Sequence, residues 1–70
     1  MYTVYGISSL IKNYIYVGLT ENFDRRFPEH NSGKEKTTRP YAPFWLIYQR
    51  EFPNRILARE HEKHLKSGIG

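Results

Sequence analysis

Residues 2–8 alternate, with Tyr2, Val4 and Gly6 on one side and Thr3, Tyr5 and Ile7 on the other, which is the period of a strand. A second alternation sets Ile15 and Val17 against Tyr14 and Tyr16, predicting a strand over 14–18 with a tight exit at Gly18. Two strands so close in sequence pair antiparallel, as a hairpin around a loop that holds Leu10 and Ile11. The period then lengthens. Phe23 and Phe27 make the apolar stripe of a helix that starts at Glu21, with Thr20 as its N-cap. Arg26 and His30 fall beside that stripe, and Arg25 points away from it. Pro28 cannot donate to the carbonyl of Asp24 and disfavours helical geometry at Phe27, so the helix is expected to end or kink there. Gly33 closes the element.

Residues 34–43 carry two prolines and two threonines and read as a basic connection, of the kind that forms binding surfaces. Residues 44–52 are the strongest strand in the chain. Their aromatic and β-branched run alternates so loosely that a central or well-covered position is expected. Asn54 caps a second helix over 55–67, stopping at Gly68. Leu57, Ala58, His61 and Leu65 share one arc of that helix and are expected to face the sheet, with Glu62 at the margin.

Seventy residues allow one domain. There is no cysteine, so disulfides and thiolate metal sites are excluded, and any metal would sit on oxygen or imidazole ligands. The net charge is +4, and all of that excess lies after residue 35. Such asymmetry favours a polyanionic partner, although a merely basic surface accounts for it as well. No segment is long and apolar enough to span a bilayer and none reads as a signal peptide, so a cytoplasmic location without a membrane partner is the default expectation.

Tyr5, Tyr16, Arg26, His30 and Glu62 together carry groups suited to phosphodiester cleavage. That reaction needs an activated nucleophile, a neutralised phosphate and a stabilised leaving oxygen. Glu62 can hold a divalent ion, for which Mg²⁺ or Mn²⁺ suits a carboxylate, and Arg26 can hold the phosphate. Chemistry alone ranks His30 first as base, because an imidazole titrates near neutrality, whereas a tyrosine needs a cation beside it. Each residue also has an ordinary structural reading: sheet tyrosines, an arginine covering Phe23 and Phe27, a helix-capping His30, and a boundary Glu62 paired with Arg59 or Lys66. His61 reads as a packing histidine, and the spacing of His30, His61 and His64 matches no tetrahedral zinc site.

These residues carry a family likeness. The chain resembles the GIY-YIG nuclease superfamily, in particular its small stand-alone members, which are similar to the amino-terminal domain of UvrC. Thr3-Val4-Tyr5 and Tyr16-Val17-Gly18 stand where the two naming motifs would be, with Thr3 in place of the first motif's glycine. Arg26, His30 and Asn31-Ser32-Gly33-Lys34 follow in the family's order, and the segment from Ala58 to Gly68 resembles its metal-binding helix. The resemblance implies an α+β fold, a small three-stranded antiparallel sheet flanked by helices. It implies a metal-dependent DNA endonuclease leaving a 5′-phosphate and a 3′-hydroxyl, with a role in DNA repair or recombination. By the same resemblance Glu62 binds Mg²⁺ or Mn²⁺, Arg26 contacts the scissile phosphate, Tyr16 is the general base, Tyr5 supports it, and His30 is auxiliary or the base. It further implies that a single domain over 1–70 lacks the family's C-terminal helix.

Lys34, Lys36, Arg39, Arg55, Arg59, Lys63 and Lys66 are available for backbone phosphates, contacts that position DNA without reading it. Specificity is therefore left to DNA structure or to a protein partner. Two other readings stay open at this point. One is a non-catalytic nucleic-acid-binding module on a degenerate nuclease scaffold, for which a kinked first helix would turn His30 outward. The other is a protein-interaction domain with Phe44 and Trp45 exposed as a patch.

Overall fold

The structure, a computed structural model, describes residues 1–69. Three strands, β1 (Tyr2–Ser9), β2 (Ile15–Thr20) and β3 (Phe44–Phe52), form one antiparallel sheet in the order β2-β1-β3. Helix α1 (Phe23–Asn31) and helix α2 (Arg55–Ile69) flank it, and a 3₁₀ turn (Arg39–Tyr41) lies in the long connection before β3. This is the α+β fold that the sequence implied.

β1, not β3, is the central strand. Val4 and Ile7 are fully buried and Tyr5 nearly so, because β1 is paired on both edges and covered on both faces. β3 is an edge strand that leaves Trp45 and Ile47 exposed. Its looseness in sequence has a local cause. Gly6 pairs with Tyr48 but Ile7 pairs with Leu46, so Ile47 is the extra residue of a bulge. Beyond a bulge the side chains change face. Phe44 and Leu46 therefore pack with Tyr5 and Ile7, while Tyr48 and Phe52 pack with Val4 on the other face.

The two faces are covered by different elements. On one, Val4, Val17 and Ala58 form the core, with Tyr2, Leu19 and Leu65 packed around them, so α2 covers this face. The other holds Tyr5, Ile7 and Phe44 with Tyr16, Phe23 and Phe27, so α1 covers it. On α2 the inward positions are Ala58, His61, Glu62 and Leu65, spaced three and four apart. Leu57 was expected to face the sheet, but that stripe is narrow and Leu57 lies outside it, 45 % exposed. Asn54 does cap α2, its Oδ1 accepting from the Leu57 amide at 2.9 Å.

α1 departs from its expected boundaries. Thr20 still belongs to β2, and its Oγ1 accepts from the Asn22 amide at 3.1 Å. Asn22 is the N-cap, accepting from the Arg25 amide at 3.3 Å, so the helix begins at Phe23. It neither ends nor breaks at Pro28 but runs on to Asn31. Packing outweighs the one backbone hydrogen bond that proline removes. The Phe23 and Phe27 rings stack at 5.5 Å, and His30 beyond Pro28 is fully buried. Asn31 then ties the helix end to β3, its Oδ1 accepting from the Phe44 amide at 2.6 Å. Gly33 follows with φ +80°, the left-handed geometry that ends a helix with little strain only at glycine.

Candidate active site

Tyr5, Tyr16, Arg26 and His30 meet on the face covered by α1. In the register of β1 and β2, Tyr5 stands opposite Gly18 and Ile7 opposite Tyr16, which sets the two tyrosines on a diagonal with ring centroids 6.3 Å apart. His30 reaches down from α1 between them, 5.8 Å from the Tyr5 ring and 5.0 Å from the Tyr16 ring. Its Nε2 is hydrogen-bonded to the Tyr5 hydroxyl at 2.9 Å. Its Nδ1 is hydrogen-bonded to Thr38 Oγ1, also at 2.9 Å. The outward-turned His30 expected of the binding-module reading is thus not what this fold contains.

Gly18 is not a turn exit. It lies inside β2, and its missing side chain makes room for Tyr5. A Cβ on Gly18 would fall 2.5 Å from the Tyr5 hydroxyl oxygen and 2.9 Å from Cε2 of Tyr16. The glycine is what lets a full tyrosine ring lie across the neighbouring strand.

The electrostatics divide the roles. Burial, reinforced by nearby Tyr16, pushes the Tyr5 hydroxyl up to about 12, against the pull of the Arg26 guanidinium. Tyr5 is therefore a proton donor at neutral pH and no base. Burial and then the Arg26 charge lower the His30 pKa, against the carboxylates of Glu35 and Glu29. A neutral buried histidine must take up a proton when the chain unfolds in acid. Its contribution to stability is complete above about pH 6.5, the unfolded value, and is lost as pH falls from there through the lower folded value. We expect the melting temperature to drop over that window, and to drop less in His30→Gln, as thermal melts at stepped pH would show.

Arg26 stands at the rim of this group. Its guanidinium pairs with Glu35 at 3.1 Å and with Glu29 at 3.6 Å. Beside it lies an open cleft of about 530 Å³, lined by Arg25, Arg26 and Glu29 of α1, Leu19 and Thr20 of β2, Tyr2, and Arg55 at the start of α2. Both helices thus border the free edge of β2. Sequence reasoning took Arg25 as pointing away, and it missed Glu35 and Thr38. The two missed residues sit in an aperiodic connection, where no spacing announces a contact with α1.

Glu62 comes from the other helix, α2. It projects from the inward stripe of α2, its side chain 14 % exposed, and its ion pair is with Lys66 at 3.5 Å, the ordinary partner foreseen for it. Among the described residues no hydrogen bond or ion pair joins it to Tyr5, Tyr16, Arg26 or His30, and no group of three His, Asp or Glu is placed to hold a metal. The donor chemistry nonetheless suits Mg²⁺ or Mn²⁺. Glu62 offers hard oxygen, restrained by one exposed lysine, and Mg²⁺ is held by one or two carboxylates plus substrate phosphate while keeping several waters. His61 is a packing histidine, its Nε2 hydrogen-bonded to the Tyr48 hydroxyl and its ring 5.0 Å from Phe52.

The seven basic residues assigned to backbone phosphates are all exposed. Arg39 is partly committed, its Nε donating to the Gly33 carbonyl at 2.8 Å, and Lys66 pairs with Glu62. Of the proposed aromatic patch, Trp45 is exposed but Phe44 is buried, so no joint patch exists.

Comparison with known proteins identifies the family. A family model described as the GIY-YIG catalytic domain matches residues 1–68. Among curated proteins, the chain is similar to a UPF0213 protein of Natronomonas pharaonis, 35% identical over 76% of this chain and 64% of the relative. It is similar to one of Oceanobacillus iheyensis, 36% identical over 74% of this chain and 62% of the relative. A UPF0213 protein of Nitratidesulfovibrio vulgaris is 38% identical over 74% of this chain and 48% of its own length. The chain thus spans less than two thirds of the length of these relatives. No solved structure matches it.

Proposed function

This chain belongs to the GIY-YIG catalytic domain family, and from that premise we propose that it is a divalent-metal-dependent endonuclease that hydrolyses DNA phosphodiester bonds. The observation that carries the reading is the group of Tyr5, Tyr16, His30 and Arg26, packed together beside a cleft that three arginines border. Arg26 links the two, since it lines the cleft and its charge acts on both Tyr5 and His30.

In this reading the phosphodiester lies along the free edge of β2, where α1 and α2 both reach it. Arg26 exchanges its carboxylate partners for the scissile phosphate and meets the charge that builds on it. Tyr16 takes the proton of the attacking water, the role the family gives that position. Tyr5, held protonated, donates its proton to His30 and so presents its oxygen to Arg26, fixing the guanidinium. Glu62 would hold Mg²⁺ or Mn²⁺, which when bound neutralises phosphate charge and stabilises the leaving 3′ oxygen. The P–O3′ bond breaks as the water oxygen bonds to phosphorus, and the departing O3′ takes a proton from solvent, leaving a 5′-phosphate and a 3′-hydroxyl. Arg25, Arg55 and the exposed lysines hold flanking phosphates. The family resemblance suggests a role in DNA repair or recombination, with a protein partner supplying specificity.

The test is cleavage of end-labelled flap, branched and single-stranded DNA with Mg²⁺, Mn²⁺ or EDTA, with the product ends analysed. Metal-dependent cutting that yields 5′-phosphates is expected. DNA binding without cleavage of any substrate would turn the reading to the non-catalytic module. Glu35 offers a second check, because its carboxylate occupies Arg26 where a phosphate would sit. An exposed pair of this kind is worth about 0.2–1 kcal/mol. Glu35→Gln should therefore tighten DNA binding by roughly two- to fivefold in a fluorescence-anisotropy titration.

A further inference from the structure

We propose that Thr38 is a positioning residue of this site, acting through His30 to fix the direction in which the Tyr5 hydroxyl gives its proton. The proposal rests on the nuclease reading for its effect on cleavage, but its geometry stands by itself. Thr38 is fully buried, as is His30, and no other part of the 34–43 connection reaches so deep. A threonine placed there merely to fill space would be replaceable by valine. This one is bonded to a ring nitrogen whose partner nitrogen holds Tyr5.

Each of these two hydrogen bonds can run either way by itself, because a hydroxyl both donates and accepts. The Arg26 guanidinium has only donors and its charge acts on the Tyr5 hydroxyl, which favours the arrangement in which that oxygen faces it. The single hydroxyl proton of Tyr5 then goes to His30 Nε2, the bare nitrogen in this arrangement. The ring proton consequently sits on Nδ1 and is donated to Thr38 Oγ1. In this arrangement donation runs Arg26 to Tyr5 to His30 to Thr38, and Thr38 Oγ1 is the acceptor that the Nδ1–H tautomer needs. The ring is faced by Tyr5 from β1, Tyr16 from β2, Arg26 and Glu29 from α1, and Glu35 and Thr38 from the connection.

Without Oγ1 the Nδ1 proton would be buried and unpartnered, an arrangement proteins avoid. The imidazole would then move its proton to Nε2 and donate to Tyr5. Tyr5 would have to turn its own proton away, towards Arg26 or the cleft, and Arg26 would lose its acceptor.

The experiment is long-range ¹H–¹⁵N correlation of the His30 ring in wild type, Thr38→Val and Thr38→Ser, paired with cleavage rates against pH. Wild type and Thr38→Ser are expected to show the Nδ1–H tautomer at neutral pH. Thr38→Val should shift to Nε2–H, with cleavage falling by roughly ten- to a hundredfold as Arg26 is misplaced and its pH profile altered. A wild-type ring carrying its proton on Nε2 would overturn the proposal, and so would a Thr38→Val ring unchanged in tautomer. If Thr38→Val fails to fold, the wild-type and Thr38→Ser spectra still decide. A chain that cuts no DNA yet shows the predicted tautomers would refute the nuclease reading alone.

Discussion

Gly18→Ala is expected to unseat Tyr5 and to lower the melting temperature more than any other single methyl added to the sheet. The new Cβ would lie 2.5 Å from the Tyr5 hydroxyl oxygen and 2.6 Å from its Cζ. Neither atom can retreat, since Tyr5 is buried and its hydroxyl is held at 2.9 Å by His30. Overpacking of this kind costs about 1–3 kcal/mol. For a domain of this size each kcal/mol moves the midpoint by roughly 4–8 °C, so a drop of roughly 4–24 °C should appear in a circular-dichroism melt. On the proposed mechanism, in which Tyr5 orients Arg26, cleavage should fall with it even below the melting transition. Gly6→Ala is the control in the same sheet. Its Cβ would meet the Tyr48 Cβ at 3.3 Å, a contact that yields by a few tenths of an ångström, and its loss of stability should be much smaller.

Arg26→Ala is expected to do the opposite, sparing the fold and removing the activity. The side chain is 34 % exposed and its partners are the carboxylates of Glu29 and Glu35, neither of which is buried. Such pairs are worth about 0.2–1 kcal/mol each, so the loss of stability should be smaller than that of Gly18→Ala. Loss of a group aimed at developing phosphate charge should lower the cleavage rate by about 100- to 1000-fold. Arg26→Lys keeps the charge but not the planar fork that meets a phosphate through two parallel bonds, and it should recover little of the rate. Steady-state kcat/KM on the best DNA substrate, beside a thermal melt, checks both halves. A rate unchanged in Arg26→Ala would remove Arg26 from the mechanism.

The two variants separate what the sequence makes legible from what it hides. Strand and helix periods show in the alternation of residues 2–8 and 14–17 and in the spacing of Phe23 and Phe27, because those side chains pack where their period points. Tyr5, Tyr16, Arg26 and His30 are visible because motif spacing brings them to one face of the sheet. Gly18 reads as a turn, since a glycine at the end of an apolar run usually is one. Its actual task depends on a ring from the neighbouring strand, which no local pattern encodes. The order of the sheet is masked by the bulge at Ile47, which lets alternate residues of β3 serve both faces. Pro28 reads as a helix breaker by local rules and is overruled by the packing of Phe27 and His30. Thr38 and Glu35 belong to a connection without a period, so their contacts with His30 and Arg26 emerge only when the chain is folded.

The central claim is that α1 and α2 serve one metal-dependent site at the free edge of β2. Paramagnetic broadening by Mn²⁺ in the NMR spectrum of the ¹⁵N-labelled protein tests it most directly. Broadening is expected to be steepest at Glu62 and next at residues 16–18 and Arg26, with all of it lost in Glu62→Gln. Broadening centred elsewhere, or persisting unchanged in Glu62→Gln, would contradict the account.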